Sequence, residues 1–337
     1  MNRSDGATAK HPSSHTVAHR PGGADVNRPD ATTAKHPSSQ TVVHRPGGAD
    51  VNRPYGTTAK RALSQTVSRV GVWLILALLL FWSLGPVLVM IFTSFKARQD
   101  IFSVPTHLLP ETWTLDNFVT VFTASTMPQA LLNSVIVGAL VAVATLVFCF
   151  SAGYALARFR FRSARPLALA ILLGQVVPLT VVLLPLYQFV SSLKLLDTAI
   201  GLAFAHLAIT VPLVTWMVRN QIAAIPVELE HAAMIDGASR FDAVTYITLP
   251  ICAPGLAAAG LFAFLQSWHE FLFASVMTSS TAARTAPVAL TEFANEFNVD
   301  WGATMAASVT LTVPIVVLFV MLQRYFIGGF TAGAVKG

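Results

Sequence analysis

The sequence predicts an all-α integral membrane protein. It has six transmembrane helices, a helix-turn-helix loop between the fourth and fifth, and a disordered N-terminal tail. Three observations carry this reading. The 337 residues are 54% hydrophobic and only 11% charged, where an average soluble domain is roughly 25% charged. Six apolar stretches reach about the 20 residues that a helix needs to cross a bilayer. Lys and Arg gather in alternate connections between those stretches, the asymmetry that sets orientation in a membrane.

Residues 1–68 form the tail. They contain no apolar run, hence no signal-peptide core before residue 70. Thr8–Pro29 recurs at Thr33–Pro54, a period of 25, and a partial third copy runs through Thr57–Lys60 and Ser64–Val67. Repeats of this length often build solenoids. This unit is rich in Pro, Gly, Ser, Thr and His and too poor in large apolar side chains to form a core, so it reads as disordered. Its five histidines are loosely spaced and read as polar rather than metal-binding. Residues 1–69 hold ten Lys/Arg and four Asp/Glu, and residues 70–337 hold twelve of each, so the net charge of +6 belongs to the tail. That distribution speaks against a nucleic-acid partner despite the basic balance.

The transmembrane domain occupies 69–337. Its spans are expected at roughly Val70–Ser94, Leu131–Leu156, Leu167–Val190, Ala199–Val218, Ile251–Met277 and Ala303–Ile327. Pro178 and Pro185 are expected to break the third. Pro212 and Pro314 fit either simple kinks, which membrane helices tolerate, or pivots. Lys60, Arg61 and Arg69 precede the first span. Arg158, Arg160, Arg162 and Arg165 follow the second, Arg219 and Arg240 follow the fourth, and Arg324 and Lys336 follow the sixth. The opposite side carries Lys96, Arg98, Lys194 and Arg284. Both termini and the 226–256 loop are therefore placed in the cytoplasm. Cys149 and Cys252 lie in or beside apolar spans and read as small buried hydrophobes.

The loop 226–256 specifies a hairpin. Pro226 suits a first helical position, and Glu228 and Glu230 follow at the positive end of the helix dipole. Ile225, Leu229, Ala232 and Ala233 recur at helical spacing. Gly237 supplies a left-handed terminus. Ser239 and Asp242 have capping-box spacing for a second helix, with Phe241, Val244 and Ile247 as its apolar stripe. Leu249-Pro250 is expected to close it. Such a hairpin either packs on its own domain or docks on another protein.

Glu230, Ala232, Ala233, Asp236, Gly237, Ala238, Leu249 and Pro250, flanked by Glu228, resemble the EAA loop of permease subunits in binding-protein-dependent ABC importers. His231 departs from that pattern, standing where the family most often has the motif's glutamate, and Glu230 keeps an acidic group one position away. Tyr154–Phe161 (YALARFRF), the stretch starting TAPVALTEF at Thr285, and the ending LQRYFIGGFTAGAVKG are similar to carbohydrate-uptake members of the maltose-permease type. The likeness covers roughly residues 66–337. It implies a multi-pass subunit of the cytoplasmic (inner) membrane. The implied partners are a second homologous permease, two ATPase subunits, an extracytoplasmic solute-binding protein docking near Ser279–Trp301, and a sugar. ATP and Mg would bind the ATPase, leaving no cofactor, metal or catalytic residue in this chain. Glycerol-phosphate permeases look similar, so a non-sugar solute is an alternative.

Substrate-pathway candidates come from polarity within spans. Glu270 is the sole carboxylate in the fifth, in the polar-aromatic run Gln266-Ser-Trp-His-Glu-Phe271. A carboxylate at membrane depth costs on the order of 2.5–3.5 kcal/mol, so it should face the interior or water. Trp268 and Glu270 fit a sugar-lined cavity or an interfacial belt. Asn133, Gln175, Gln188 and Gln266 are further candidates, and His206 reads as a hydrogen-bonded core histidine. No Lys is followed by Ser or Thr, so there is no Walker A loop. No nucleophile elbow or His-Glu-x-x-His appears either. An ion-coupled carrier is the rival class, and it would be expected to need more ionisable groups in its spans.

Overall fold

A computed structural model describes residues 57–159, 162–294 and 299–334. Side chains are described for these except 57–70, 165, 322 and 324–334. The repeat up to residue 56, with Arg160, Glu296, Phe297 and Lys336, lies outside the described residues. All regular structure among the described residues is helical.

The first long helix is α1 (Thr57–Ser94), followed by the one-turn α2 (Arg98–Ile101) and α3 (Asp116–Thr123). Then come α4 (Met127–Arg158), α5 (Ala164–Leu173), α6 (Leu179–Ser192) and α7 (Ala199–Ala224). The hairpin holds α8 (Val227–Ile235) and α9 (Arg240–Ala243). After a π-turn at Val244–Thr248, α10 (Leu249–Trp268), α11 (Leu272–Met277), α12 (Ala286–Ala289) and α13 (Trp301–Ala334) complete the order.

The long helix α4 is the axis of the bundle. Its far-end residues Met127 and Ala130 pack with Val121, Ala286, Ala289, Phe293 and the alanines 303, 306 and 307 of α13. Its middle, Val137 and Val141, packs on α7 and α11. Its last turns, Cys149 and Tyr154, pack on Val214, Val218 and Ile222 of α7 and on Cys252, Ala259 and Ala263 of α10. Small residues dominate these crossings, because helices in a membrane gain by close backbone approach rather than by hiding apolar surface from water. A Cβ on Gly138 would stand 2.7 Å from the Phe264 ring. By contrast the apolar part of α1 faces outward, with Trp73, Leu78, Phe81 and Trp82 exposed, and Ser94 in its last turn is buried.

The six expected spans are present when the bent third stretch counts as one; several finer expectations need correction. The helix α1 begins at Thr57, so 57–68 is helical rather than part of a disordered tail. Five helices are long and apolar enough to cross a membrane, and six only if a bent pair counts as one span. That pair is the third stretch, where α5 and α6 meet at 102°. Pro178 forces Val177 into an extended conformation (φ −70°, ψ 124°), whereas Pro185 sits inside α6 without breaking it.

The fifth stretch is also interrupted. Its first helix, α10, ends at Trp268, and Glu270 caps α11, its Oε1 accepting from Phe273 N (2.8 Å) and its Oε2 from Ala274 N (3.1 Å). Leu249-Pro250 does not close the hairpin helix. The π-turn donates Leu249 N to Val244 O, and this wider turn makes room for a proline ring that would clash in an α-turn. Arg240–Trp268 is thus one span. The segment after Ser279 packs into the bundle, with Thr285, Ala286, Ala289 and Phe293 buried.

Candidate functional site

The hairpin forms as its sequence specifies, with shifts of detail. Pro226 is the N-cap of α8 rather than its first residue. At the other end Gly237 takes φ +97°. Ala238 N donates to Ala233 O (3.0 Å) and Gly237 N to Met234 O (3.2 Å), the paired bonds of a Schellman terminus. The capping box is complete: Asp242 N donates to Ser239 Oγ (3.2 Å) and Ser239 N to Asp242 Oδ2 (3.0 Å).

What this hairpin buries runs against amphipathic expectation. Glu230 is the buried residue of α8. Of the apolar face expected at Ile225, Leu229, Ala232 and Ala233, Ile225 is buried and Ala233 half-buried, while Leu229 and Ala232 are exposed. Glu228, His231 and Asp236 are exposed and Ala238 is half-buried. Ile235 is 86%, Phe241 75% and Tyr246 79% exposed. In the second stripe Val244 and Ile247 are half-buried. Leu249 and Pro250 lie exposed at the base.

Three side chains from two elements converge on the Glu230 carboxylate. Arg158 Nε donates to Oε1 (2.7 Å), Thr248 Oγ1 donates to Oε1 (2.8 Å), and Tyr154 Oη donates to Oε2 (2.8 Å). Arg158 Nη2 also donates to Ile225 O (3.1 Å). Burial pushes the Glu230 carboxyl up, but the hydrogen bonds of Thr248, Arg158 and Tyr154 outweigh it and hold it below its ordinary value of 4.5. The carboxylate is thus charged and paired near neutral pH. Removing one member of such a buried pair costs about 3–5 kcal/mol. An open cleft of about 390 Å³ lies beside it, lined by Ala157, Arg158, Ala224, Pro226 and Glu228.

The pathway candidates divide. Asn133, buried on α4, donates Nδ2 to Ala282 O (2.8 Å) and Arg284 O (2.9 Å) and accepts from Gln129. Glu270, besides capping α11, accepts from His206 Nε2 (3.1 Å), and His206 Nδ1 meets the Ser267 hydroxyl at 2.8 Å. Trp268 is buried, its ring stacked on Phe264 with Nε1 unpartnered. These three side chains are buried within the bundle. Gln175, which donates to Ile209 O, Gln188 and Gln266 are exposed.

Residues 147–330 match the family of binding-protein-dependent transport system inner membrane components. The chain belongs to this family. It is thus a permease subunit of a binding-protein-dependent ABC importer. The diacetylchitobiose uptake system permease protein DasC of Streptomyces coelicolor is 36% identical over 252 residues, 75% of this chain and 91% of the relative. The trehalose/maltose transport system permease protein MalG of Thermococcus litoralis is 35% identical over 257 residues, 75% and 92%. In fold, the chain is similar to a subunit of a bacterial ABC transporter involved in the import of the acidic polysaccharide alginate. The TM-score is 0.68 at 19% identity, covering 81% of this chain and all of that one.

For this ABC permease, sequence reasoning found the hairpin and missed its anchor. Tyr154 entered only as part of a resemblance, Arg158 as a topology charge and within that resemblance, and Thr248 not at all. The available signal was their spacing: a Tyr and an Arg at i and i+4 lie on one helix face, at the end of an apolar span. Their acid lies 72 residues further on from Arg158, beyond the reach of any local pattern.

Proposed function

We propose that this permease imports a sugar or oligosaccharide, working with a second permease, two ATPase subunits that hold ATP and Mg, and a solute-binding protein. Both termini and the hairpin face the cytoplasm. The observation that carries the reading is the hairpin's outward apolar surface: the Glu230 carboxylate is inside while Val227, Leu229, Ile235 and Phe241 are outside. An exposed apolar surface of this kind fits a protein partner. The outward-facing apolar part of α1 fits a second membrane subunit.

The substrate class rests on relatives named for diacetylchitobiose and for trehalose/maltose. Exposed Gln188 and Gln266 at membrane depth are the residues placed to meet a hydroxylated solute, since a polar side chain facing lipid is costly. An ion-coupled carrier is disfavoured, because both Glu270 oxygens are engaged by protein donors.

Uptake tests the reading. Cells lacking this chain should lose accumulation of at least one of radiolabelled maltose, trehalose or diacetylchitobiose and regain it on complementation. Unchanged uptake of all three, with glycerol phosphate uptake lost instead, would move the permease to the non-sugar class.

A further inference from the structure

We propose that Glu230 is a positioning residue that joins the hairpin to α4, so that the hairpin and the 32-residue helix α4 move as one lever. The inference rests on the coupling role above and goes beyond it in saying how motion leaves the loop.

The hairpin meets the end of α4 through apolar contacts, with Ile225 and Val244 in the cluster that holds Tyr154 and Ala157, and through directional polar bonds. Glu230 is the buried residue of α8, and its partners come from both sides of the loop. Tyr154 and Arg158 lie on the last turns of α4, and Thr248 ends the π-turn that leads into α10. Arg158 also bonds Ile225 O at the entry to the hairpin. In the second arm, Arg240 stands 5.3 Å from the Phe159 ring centroid, one residue past the end of α4. Both arms of the hairpin are thus pinned to the same end of one helix. Directional, charge-assisted bonds resist rotation in a way that sliding apolar contacts do not.

The rod continues to the other end of the bundle. At 1.5 Å per residue α4 is roughly 48 Å long. Near its first turns, Asn133 donates to Ala282 O and Arg284 O, and Ser134 Oγ accepts from Ala286 N (2.8 Å). One rigid element therefore grips the hairpin at one end and the segment before α12 at the other. Interior polar bonds, not the exposed apolar face, carry the connection.

The test is a spin-label distance measured in the complete complex purified from native membranes, with ATP as the probe. Labels go on Met234→Cys, half-buried on α8 and outside the exposed apolar face, and on exposed Leu132→Cys; native Cys149 and Cys252 are buried. In otherwise wild-type protein the distance should be narrowly distributed and unchanged by ATP. In Glu230→Ala the ATPase should still co-purify, while the distribution broadens and shifts with ATP. Glu230→Gln, which keeps the shape and one acceptor oxygen, should restore most of the narrow distribution. A Glu230→Ala distribution identical to wild type in both states overturns the joint. So does loss of the ATPase from that variant, which would make Glu230 part of the docking surface.

Should Glu230→Ala fail to accumulate, Tyr154→Phe and Thr248→Val each remove one bond. Graded broadening supports the joint, and none refutes it. Wild-type protein that brings no ATPase would instead contradict the coupling role. The width of the Glu230→Ala distribution would still decide the joint.

Discussion

Arg158 Nε lies 2.7 Å from Glu230 Oε1, joining the end of one membrane helix to the middle of the hairpin across 72 residues of chain. Both side chains are buried. The hairpin is therefore tethered by an ion pair and keeps its apolar residues facing out.

The tether has a definite pH sign. The folded-state carboxyl of Glu230 titrates below its ordinary value of 4.5, so its stabilisation is complete above that value. It is lost as pH falls through the lower folded value. Melting of the detergent-solubilised protein should show a wild-type advantage over Glu230→Gln that is constant from neutral pH down to about 4.5. Below that the gap should close. A gap that closes between pH 8 and 6 would contradict the assignment.

Gly237 is required by its backbone alone. It has φ +97° and nothing within 4 Å of where a Cβ would sit. Gly237→Pro cannot adopt this conformation, so uptake should fall while the membrane level stays normal. Gly237→Ala should cost about 1–2 kcal/mol. Normal uptake by Gly237→Pro would remove the hairpin from the mechanism.

Gly201 is required by space. A Cβ there would meet Leu195 O at 2.0 Å and Leu195 C at 2.8 Å, and backbone cannot step aside as a flexible side chain does. Gly201→Ala should destabilise by about 1–3 kcal/mol or more, seen as a lowered melting temperature. Gly174→Ala, with no atom within 4 Å, serves as the neutral control.

Glu270 is assigned to structure rather than to substrate. Glu270→Ala strips His206 and the amides of Phe273 and Ala274 of their buried acceptor, and it should cost about 1–3 kcal/mol for each group left unsatisfied. Glu270→Gln should lower membrane level or melting temperature yet leave the transport KM unchanged. A raised KM at normal stability would return Glu270 to the pathway.

Local chemistry explains which features were legible beforehand. The Schellman glycine, the capping box and most span boundaries are written in neighbouring residues, so they could be read directly. The 102° bend at Val177-Pro178 was legible as a break but not as an angle, which depends on what α5 and α6 pack against. Pro250 misled because a π-turn five residues long absorbs it. The interior position of Glu270 was legible from its cost at membrane depth, but its partners, His206 and the amides of α11, were not, because tertiary packing sets them. The same holds for Glu230, whose place at the dipole end of α8 was legible while its burial was not.

The most direct test of the account is co-purification from native membranes in mild detergent, comparing wild type with Asp236→Arg. Asp236 is exposed at the tip of the hairpin, so a large cation there should disturb docking without unfolding the bundle. The account predicts an ATPase subunit with the wild-type chain and its loss, at equal permease yield, with Asp236→Arg. A wild-type chain that purifies with no ATPase, or an ATPase indifferent to Asp236→Arg, would contradict coupling through this hairpin.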